Sequence, residues 1–135
     1  MVKYQTEETL SPEEFRDVLV RSTLAERRPA DDLERLSKML RHANLIITAR
    51  EDGKLIGVAR SLTDFTFCTY LSDLAVDESY QKKGIGKELI RRSKIAAAQA
   101  KLILLAAPKA VNYYPGIGMT KMEQCYILDD IDALK

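Results

Sequence analysis

Residues Gln81–Lys87 carry the clearest chemical signal in the chain, because lysines and glycines are interleaved there between two regular elements. The stretch reads QKKGIGK and follows Tyr70–Val76, a mostly apolar run of strand length. Helical spacing of apolar residues begins directly after it. A helix N-terminus offers unpaired N–H groups and the positive end of its dipole, and glycines let the backbone approach a phosphate closely. The sequence therefore predicts an anion site that holds a phosphorylated cofactor.

Two other phosphate-binding motifs fit this stretch less well. A P-loop ends in Gly-Lys-Ser/Thr, whereas Gly86-Lys87 is followed by Glu88 and lacks the earlier glycine. A dinucleotide fingerprint requires a third glycine where Leu89 stands. A bare G-x-G before a helix also occurs as a purely structural cap and turn. The functional interpretation is favoured here by the combination of the glycines with the polar side chains of Gln81, Lys82, Lys83 and Lys87.

Composition narrows the class of protein. The chain has 135 residues with 46% hydrophobic and 30% charged residues, which predicts a single globular domain over residues 1–135. A net charge of +1 gives no general attraction to nucleic acid or to an anionic membrane. Cys68 and Cys125 are too few and too distant for a disulfide framework or a metal site. No apolar run would span a bilayer, and MVKYQTEETL lacks the core of a signal peptide, so we predict a cytoplasmic protein without a metal cofactor.

The first part of the chain predicts a short strand, two amphipathic helices and a hairpin. A strand around Val2–Gln5 precedes a helix that Ser11-Pro12-Glu13-Glu14 should cap, and a second helix should begin at Asp31 or Asp32. The arginines around them are expected to be solvated, with recognition of an acidic acceptor as the alternative. Strands at Leu45–Ala49 and Leu55–Leu62 flank the turn Glu51–Lys54, and Gly57 marks a bulge or a close approach.

The second part predicts a strand–helix–strand arrangement around the glycine turn. We expect a strand at Phe67–Val76, a helix at Gly84–Ala100 and a central, doubly covered strand at Leu102–Ala106. A short helix at Lys109–Tyr114 should be broken by Pro115-Gly116, and Met119–Leu128 should form one or two last strands. The predicted fold class is therefore α/β, with a mixed, mainly antiparallel sheet flanked by helices on both faces.

Two segments together resemble the GCN5-related N-acetyltransferase (GNAT) superfamily. That family's acetyl-CoA signature is Arg or Gln, two residues, Gly, one residue, then Gly or Ala, and Gln81, Gly84 and Gly86 fill it. The segment Ala110–Met119 is similar to a second family motif, with Tyr114 at its tyrosine and Gly118-Met119 in place of Gly-Phe. Many members carry an Asn seven residues before that tyrosine, where this chain has Ala107, so the resemblance does not carry that cofactor contact over. The resemblance covers nearly the whole chain and implies an acyl-CoA N-acyltransferase fold.

The resemblance also implies where acetyl-CoA, as co-substrate, is held. The pyrophosphate would be bound by the backbone N–H groups of the glycine turn, and the pantetheine arm by the open edge of the preceding strand. One strand N–H near Leu74 would polarise the thioester carbonyl as an oxyanion donor. The implied cofactor-binding residues are Leu74, Ala75, Val76, Gln81, Lys82, Lys83, Gly84, Ile85, Gly86 and Lys87.

Two side chains are candidates for the chemistry of acetyl transfer. Tyr114 would protonate the leaving thiolate, because a phenol of pKa about 10 can protonate a thiolate of pKa about 8.5. The alternatives are that Tyr114 only packs, or that Tyr113 takes the role. Asp73, a charged residue in an apolar strand, would act as base or orient the amine; the alternative is an ion pair with a lysine or arginine.

The sequence thus predicts an acetyl-CoA-dependent N-acetyltransferase that acts on a primary amine, with no nucleic-acid or membrane partner. We expect a small-molecule acceptor and a possible homodimer. The alternative is a non-catalytic acyl-CoA-binding or sensing domain, which would keep the anion site without turnover.

Overall fold

A five-stranded sheet with the strand order β1-β2-β3-β4-β5 is the centre of the fold. The computed structural model describes all residues, 1–135. The strands are β1 (Val2–Thr6), β2 (Leu45–Glu51), β3 (Lys54–Thr63), β4 (Cys68–Val76) and β5 (Lys101–Ile103), and the α-helices are α1 (Pro12–Arg21), α2 (Leu33–His42), α3 (Ile85–Ala96) and α4 (Tyr113–Gly116). All neighbouring strands are antiparallel except β4 and β5, which are parallel. The predicted fold class, a mixed and mainly antiparallel sheet with helices, is confirmed.

The chain forms two compact units, residues 1–105 and residues 106–135. The first contains the sheet and the helices α1 to α3, and the second contains α4. None of the helices is long and apolar enough to cross a membrane.

Local sequence signals place the early elements as predicted. The Ser11 hydroxyl caps α1 by accepting a hydrogen bond from the Glu14 N–H at 3.1 Å, and Pro12 occupies the first turn. The Asp32 carboxylate caps α2 in the same way, accepting from the Arg35 N–H at 3.0 Å. Between β2 and β3, Asp52 and Gly53 have φ angles of 51° and 82°, the paired positive values of a type I′ hairpin turn.

Helices cover both faces of the sheet. The first core cluster joins α1 and α2 to side chains such as Val58 and Ala75, and the second joins α3 to Ile56, Ala59 and Leu71 on the other face. At Gly57 an added Cβ would lie 3.2 Å from Leu89 Cδ1 and 3.3 Å from Ile85 Cγ2. The glycine therefore permits the close approach that the sequence suggested, and it brings the first turn of α3 against the sheet.

The predicted length of α3 was wrong, and so were the predicted length and position of β5. The helix ends at Ala96 rather than Ala100, and Lys94 Nζ donates to the carbonyls of Ala98 and Ala100 just beyond the end. The amine thus satisfies acceptors that a longer helix would have used. Strand β5 has three residues, lies at the end of the sheet and leaves the Ile103 side chain 50% exposed. The expected central position for Leu102–Ala106 was therefore incorrect.

The second unit also differs from expectation. Helix α4 contains Pro115-Gly116 instead of ending before them, because proline in a first turn loses no intrahelical hydrogen bond. Residues 119–128 do not form a strand, and Tyr126 in that segment is 92% exposed. An alternating apolar pattern favours a strand only where a neighbouring strand accepts it.

An ion-pair network ties the first two strands to α1. The Arg50 guanidinium donates to the carboxylates of Glu7 and Glu14, and Glu7 also accepts from the Thr48 hydroxyl. Hydrogen bonds from Arg50 hold the pKa of Glu7 well below its ordinary value of 4.5, at about 2. This carboxylate is therefore stabilised in its charged form by the folded structure.

We expect the Glu7 network to make folding acid-sensitive. Because the pKa is lower in the folded state, the carboxylate contributes its full stability above pH 4.5 and loses it as the pH falls towards 2. The lowered pKa stabilises the folded state at neutral pH by about 1 kcal/mol once solvent screening of this partly exposed pair is allowed for. In urea unfolding at a series of pH values, Glu7→Gln should lower stability at pH 7 and flatten the acid decline. Glu8→Gln, an exposed neighbour, is the control; an equal effect from both variants would contradict the assignment.

Candidate cofactor-binding and active site

On the edge that faces away from β3, strand β4 has a neighbouring strand only as far as Tyr70. Strand β5 pairs in register with Cys68–Tyr70 only. From Leu71 to Val76 the β4 edge on that side has no strand partner, while its other edge stays paired with β3. Backbone N–H and C=O groups along this edge are therefore available to a ligand that carries amides, as the sequence predicted for Leu74–Val76.

A β-bulge lies within the same strand. Arg60 is opposite Asp73 and Ser61 is opposite Leu71, so Ser72 is the extra residue of β4. The extra residue reverses the alternation of side chains. Leu71 consequently belongs to the core cluster under α3, whereas Asp73 lies with Ala75 on the face covered by α1 and α2.

The glycine turn leads directly into the N-terminus of α3. Lys82 and Gly84 adopt positive φ angles of 64° and 83°, and Gly84 is the N-cap residue. The first N–H to bond within the helix is that of Glu88, to the Gly84 carbonyl at 3.0 Å. The N–H groups of Ile85, Gly86 and Lys87 precede that bond and are free of intrahelical partners. Gln81 joins turn and strand, because its Nε2 donates to the Val76 carbonyl at 3.0 Å.

The charges around this turn suit a pyrophosphate. Lys82, Lys83 and Lys87 are exposed, and an added Cβ at Gly84 would meet nothing within 4 Å, so the space beside the backbone is open. The one acidic side chain in the first turn of α3, Glu88, is paired with Arg91 and Arg92. Hydrogen bonding from Arg92 lowers the pKa of Glu88, which keeps it ionised and engaged with the arginines. The residues present thus fit the pyrophosphate of a CoA-type ligand.

Asp73 is fully buried and bound by two arginines. Its Oδ1 accepts from Arg28 Nε and its Oδ2 from Arg60 Nε. The ion-paired alternative therefore describes Asp73 in this structure. A role as base stays a prediction, and it requires the carboxylate to exchange a guanidinium for the incoming amine.

Arg28 and Arg60 are the residues that sequence reasoning missed. Their side chains are only 20% and 7% exposed, so the expectation that the arginines near α1 and α2 are solvated was wrong for Arg28. A signal was present for Arg60: like Asp73, it is a charged residue inside an apolar strand of the same hairpin. For Arg28, which lies in the connection between α1 and α2, the sequence offered no such signal.

Tyr114 lies in the second unit, in α4, next to Tyr113. The two rings pack edge to face with centroids 5.2 Å apart and an interplanar angle of 80°. Burial raises the pKa of Tyr114 above its usual 10, and the neighbouring Tyr113 adds to that increase. Tyr114 is therefore a neutral phenol, the form that can donate a proton, throughout the neutral range.

A separate cleft of about 450 Å³ lies at the other end of β4. It is lined by residues that include His42, Asn44, Leu62 and Tyr70, and Cys68 at the start of the strand contributes to its wall. The glycine turn follows the opposite end of the strand, at Val76. The cleft is thus distinct from the candidate cofactor site.

An open strand edge, a glycine turn and a helix N-terminus follow one another in this order, which is the arrangement that the sequence resemblance predicts for this family. The model of the acetyltransferase (GNAT) family matches residues 9–119. The chain belongs to the GNAT acetyltransferase family.

Two curated relatives match about half of the chain. GCN5-related N-acetyltransferase 2, chloroplastic, of Arabidopsis thaliana is 33% identical over 72 residues, which is 51% of this chain and 28% of the relative. Histone acetyltransferase TAP1 of Glycine max is 34% identical over 71 residues, 50% of this chain and 31% of the relative. The chain spans less than a third of the length of these relatives.

Solved structures match over nearly the whole chain. A GNAT-family acetyltransferase of Streptococcus pneumoniae has a TM-score of 0.75 at 20% identity and covers 96% of this chain and 100% of its own. A probable acetyltransferase of Staphylococcus aureus has a TM-score of 0.78 at 21% identity, with 95% and 99% covered. An aminoglycoside N-acetyltransferase, solved in complex with CoA, has a TM-score of 0.74 at 16% identity, with 97% and 95% covered. At such identities the likeness establishes the fold.

Proposed function

We propose that residues 1–135 form a single N-acetyltransferase domain that transfers an acetyl group from acetyl-CoA to a primary amine of a small molecule. The observation that carries the proposal is the continuity of the open β4 edge, Leu71–Val76, with the glycine turn and the first N–H groups of α3. An extended amide-bearing arm that ends in a pyrophosphate fits this combination. Family membership supports the acetyl group as the cargo.

The proposed donor site uses backbone groups more than side chains. The outward-facing N–H and C=O groups of the open edge, those of Leu74 and Val76, bind the pantetheine arm, and Ala75 between them is held to β3. The N–H groups of the turn and of the first helical residues bind the pyrophosphate, helped by the helix dipole. The side chains of Lys82, Lys83 and Lys87 add positive charge, and Gln81 fixes the turn to the end of β4.

The transfer needs an oxyanion donor and an acid. The neutral amine nitrogen attacks the thioester carbonyl carbon, and the Leu74 N–H donates a hydrogen bond to the oxygen that becomes negative. The C–S bond then breaks, the carbonyl re-forms, and the thiolate takes a proton from Tyr114. Burial raises the pKa of the phenol, so it is protonated when the thiolate forms, and the phenolate left by the transfer regains a proton from water.

The proton released by the amine goes to water or to a carboxylate. We propose Asp73 as the group that orients the amine through its charge while both arginines stay bound; action as a base would require the Arg28 bond to Oδ1 to break after the carbonyl has been attacked. Arg28 is the more exposed of its two partners, 20% against 7% for Arg60. The occupied state of this carboxylate is also the observation that favours the second candidate function, a non-catalytic acyl-CoA-binding domain.

The acceptor is proposed to be small. The helices that cover the acceptor side in the family's arrangement, α1 and α2, have 10 residues each, and the connection between them contains the 3₁₀ turn Leu24–Arg27. One structural neighbour is an aminoglycoside N-acetyltransferase, and one curated relative is a histone acetyltransferase. We infer a small amine from the modest size of α1 and α2.

The proposal is tested by acetyl-CoA binding and by release of free thiol. We expect the protein to bind acetyl-CoA in calorimetry and one class of primary amine to give thiol release in a library of small amines. Binding without thiol release from any amine, histone-tail peptides included, would favour the non-catalytic candidate. Absence of binding would refute both functions.

A homodimer and a cytoplasmic location stay predictions. Apolar side chains that a second copy would cover are exposed near the C-terminus, among them Met122, Tyr126, Ile127, Ile131 and Leu134. The two predictions do not bear on the chemistry proposed above.

A further inference from the structure

The bonds of Arg28 and Arg60 converge on the β4 bulge, and the chemistry proposed above gives neither arginine a role in holding the strand. Arg28 donates through Nε to Asp73 and through Nη2 to the Ser72 carbonyl at 2.7 Å. Arg60 donates through Nε to Asp73 and through Nη2 to the Ser72 hydroxyl at 3.0 Å. Each guanidinium thus holds the same two consecutive residues, and we call this cluster of Arg28, Arg60, Ser72 and Asp73 the bulge clamp.

Stability alone does not account for the bulge clamp. Removing two charged partners from water costs free energy that their attraction often fails to recover, so a buried ion pair is weak support for a stabilising role. Here two guanidinium groups share one buried carboxylate, which leaves an excess of positive charge. What the clamp does supply is geometry, because a guanidinium fork fixes its partners in distance and direction.

We propose that the bulge clamp positions the β4 backbone so that the Leu74 N–H polarises the thioester carbonyl. The inference rests on the proposed function. Leu74 is bonded directly to Asp73, so the orientation of its N–H depends on the peptide that follows the clamped carboxylate residue. The bulge leaves Ser72 without a β3 partner, and the clamp supplies the constraint that the ladder does not. The excess positive charge also favours the negative oxygen that forms beside it.

Arg28 is the positioning residue that reaches β4 from outside the sheet. It follows the 3₁₀ turn Leu24–Arg27 in the connection between α1 and α2, while Arg60 belongs to the neighbouring strand. Arg60 is fixed a second time by the Met39 carbonyl of α2, at 3.1 Å. Removing Arg28 should therefore loosen the bulge without unpairing Asp73, which keeps Arg60.

The test reads the thioester carbonyl directly and requires no acceptor. Acetyl-CoA labelled with ¹³C at the carbonyl is bound to the protein, and the shift of the carbonyl stretch from its value in free acetyl-CoA is measured by difference infrared spectroscopy. We expect a downward shift in the unmodified protein and loss of most of it in Arg28→Ala. The dissociation constant for CoA, set mainly at the glycine turn, should stay within about threefold.

Arg50→Ala is the matched control, because Arg50 is similarly buried, with 17% of its side chain exposed, and pairs with two carboxylates away from β4. It should lower thermal stability and keep the carbonyl shift. Arg28→Lys keeps the charge and should fold, but an ammonium lacks the planar fork, so we expect it to lose much of the shift as well. This variant carries the test if Arg28→Ala does not fold.

The possible results distinguish a failure of the positioning role of the bulge clamp from a failure of the proposed acetyl-CoA binding. An unchanged shift in Arg28→Lys and Arg28→Ala would show that the clamp is only structural. Binding of acetyl-CoA without any shift in the unmodified protein would also overturn the inference, since no oxyanion donor would then be in place. Failure to bind acetyl-CoA at all would refute the proposed function itself.

Discussion

Gly84→Asp should raise the dissociation constant for CoA by about 100-fold or more. Gly84 is the N-cap of α3 with a φ of 83°, and open space lies beside it. An aspartate there would place a carboxylate next to the free N–H groups of Ile85, Gly86 and Lys87. The carboxylate would cap those groups itself and would repel the pyrophosphate that we propose they bind. Isothermal titration of CoA into the variant measures the effect.

The hairpin glycine provides a control for the backbone conformation. Gly53 has a φ of 82° and also has nothing within 4 Å of an added Cβ. Gly53→Asp therefore carries the same conformational cost, about 1 kcal/mol of stability, away from the glycine turn. We expect it to leave CoA affinity unchanged. Equal CoA affinities for the two variants would show that the glycine turn does not bind the pyrophosphate.

Tyr114→Phe should lower kcat by about 100-fold or more while leaving the KM for acetyl-CoA close to that of the unmodified protein. The substitution removes only the hydroxyl that we propose as the proton donor to the thiolate. Burial raises the pKa of Tyr114, so the phenol stays protonated up to at least its ordinary value of 10. Loss of the donor by ionisation should therefore not limit the rate at pH 7 to 9. Steady-state thiol release with an amine that supports turnover gives both constants.

Tyr113→Phe is the control for Tyr114, because the two phenols are adjacent in sequence and their rings are in contact. We expect its kcat to stay within about threefold of the unmodified protein. A large loss in Tyr113→Phe with little change in Tyr114→Phe would transfer the acid role to Tyr113. Little change in either variant would mean that the thiolate leaves without a tyrosine donor.

The sequence predicted the elements whose signals are local. Ser11 and Asp32 cap helices within a few residues of themselves, and Asp52-Gly53 closes a hairpin between strands that are neighbours in the chain. The glycine turn was recognisable for the same reason, since strand, turn and helix follow one another without interruption. Short-range geometry of this kind is encoded in residue types.

What the sequence did not predict depends on distant partners. The bulge clamp joins Asp73 to residues 13 and 45 positions away. The sequence left an ion pair with a lysine or arginine open, but nothing local identified Arg28 as a partner. The apolar run around β5 favours a central strand, but whether it is central depends on how many strands follow it in the sheet. The segment 119–128 has strand-like residues and no ladder for the same reason.

The open edge of β4 also exposes the protein to pairing with strands of other chains. The outward-facing backbone groups of the open edge, around Leu74 and Val76, that would accept a pantetheine arm would also accept a β-strand of another chain. Proteins ordinarily shield such a row with charges, prolines or a covering segment, and this stretch is largely apolar with its one carboxylate turned inward. A bound donor would act as the missing neighbour and deny the edge to other polypeptides. If acetyl-CoA is the donor, as we propose, its binding would also protect the newly made protein from aggregation.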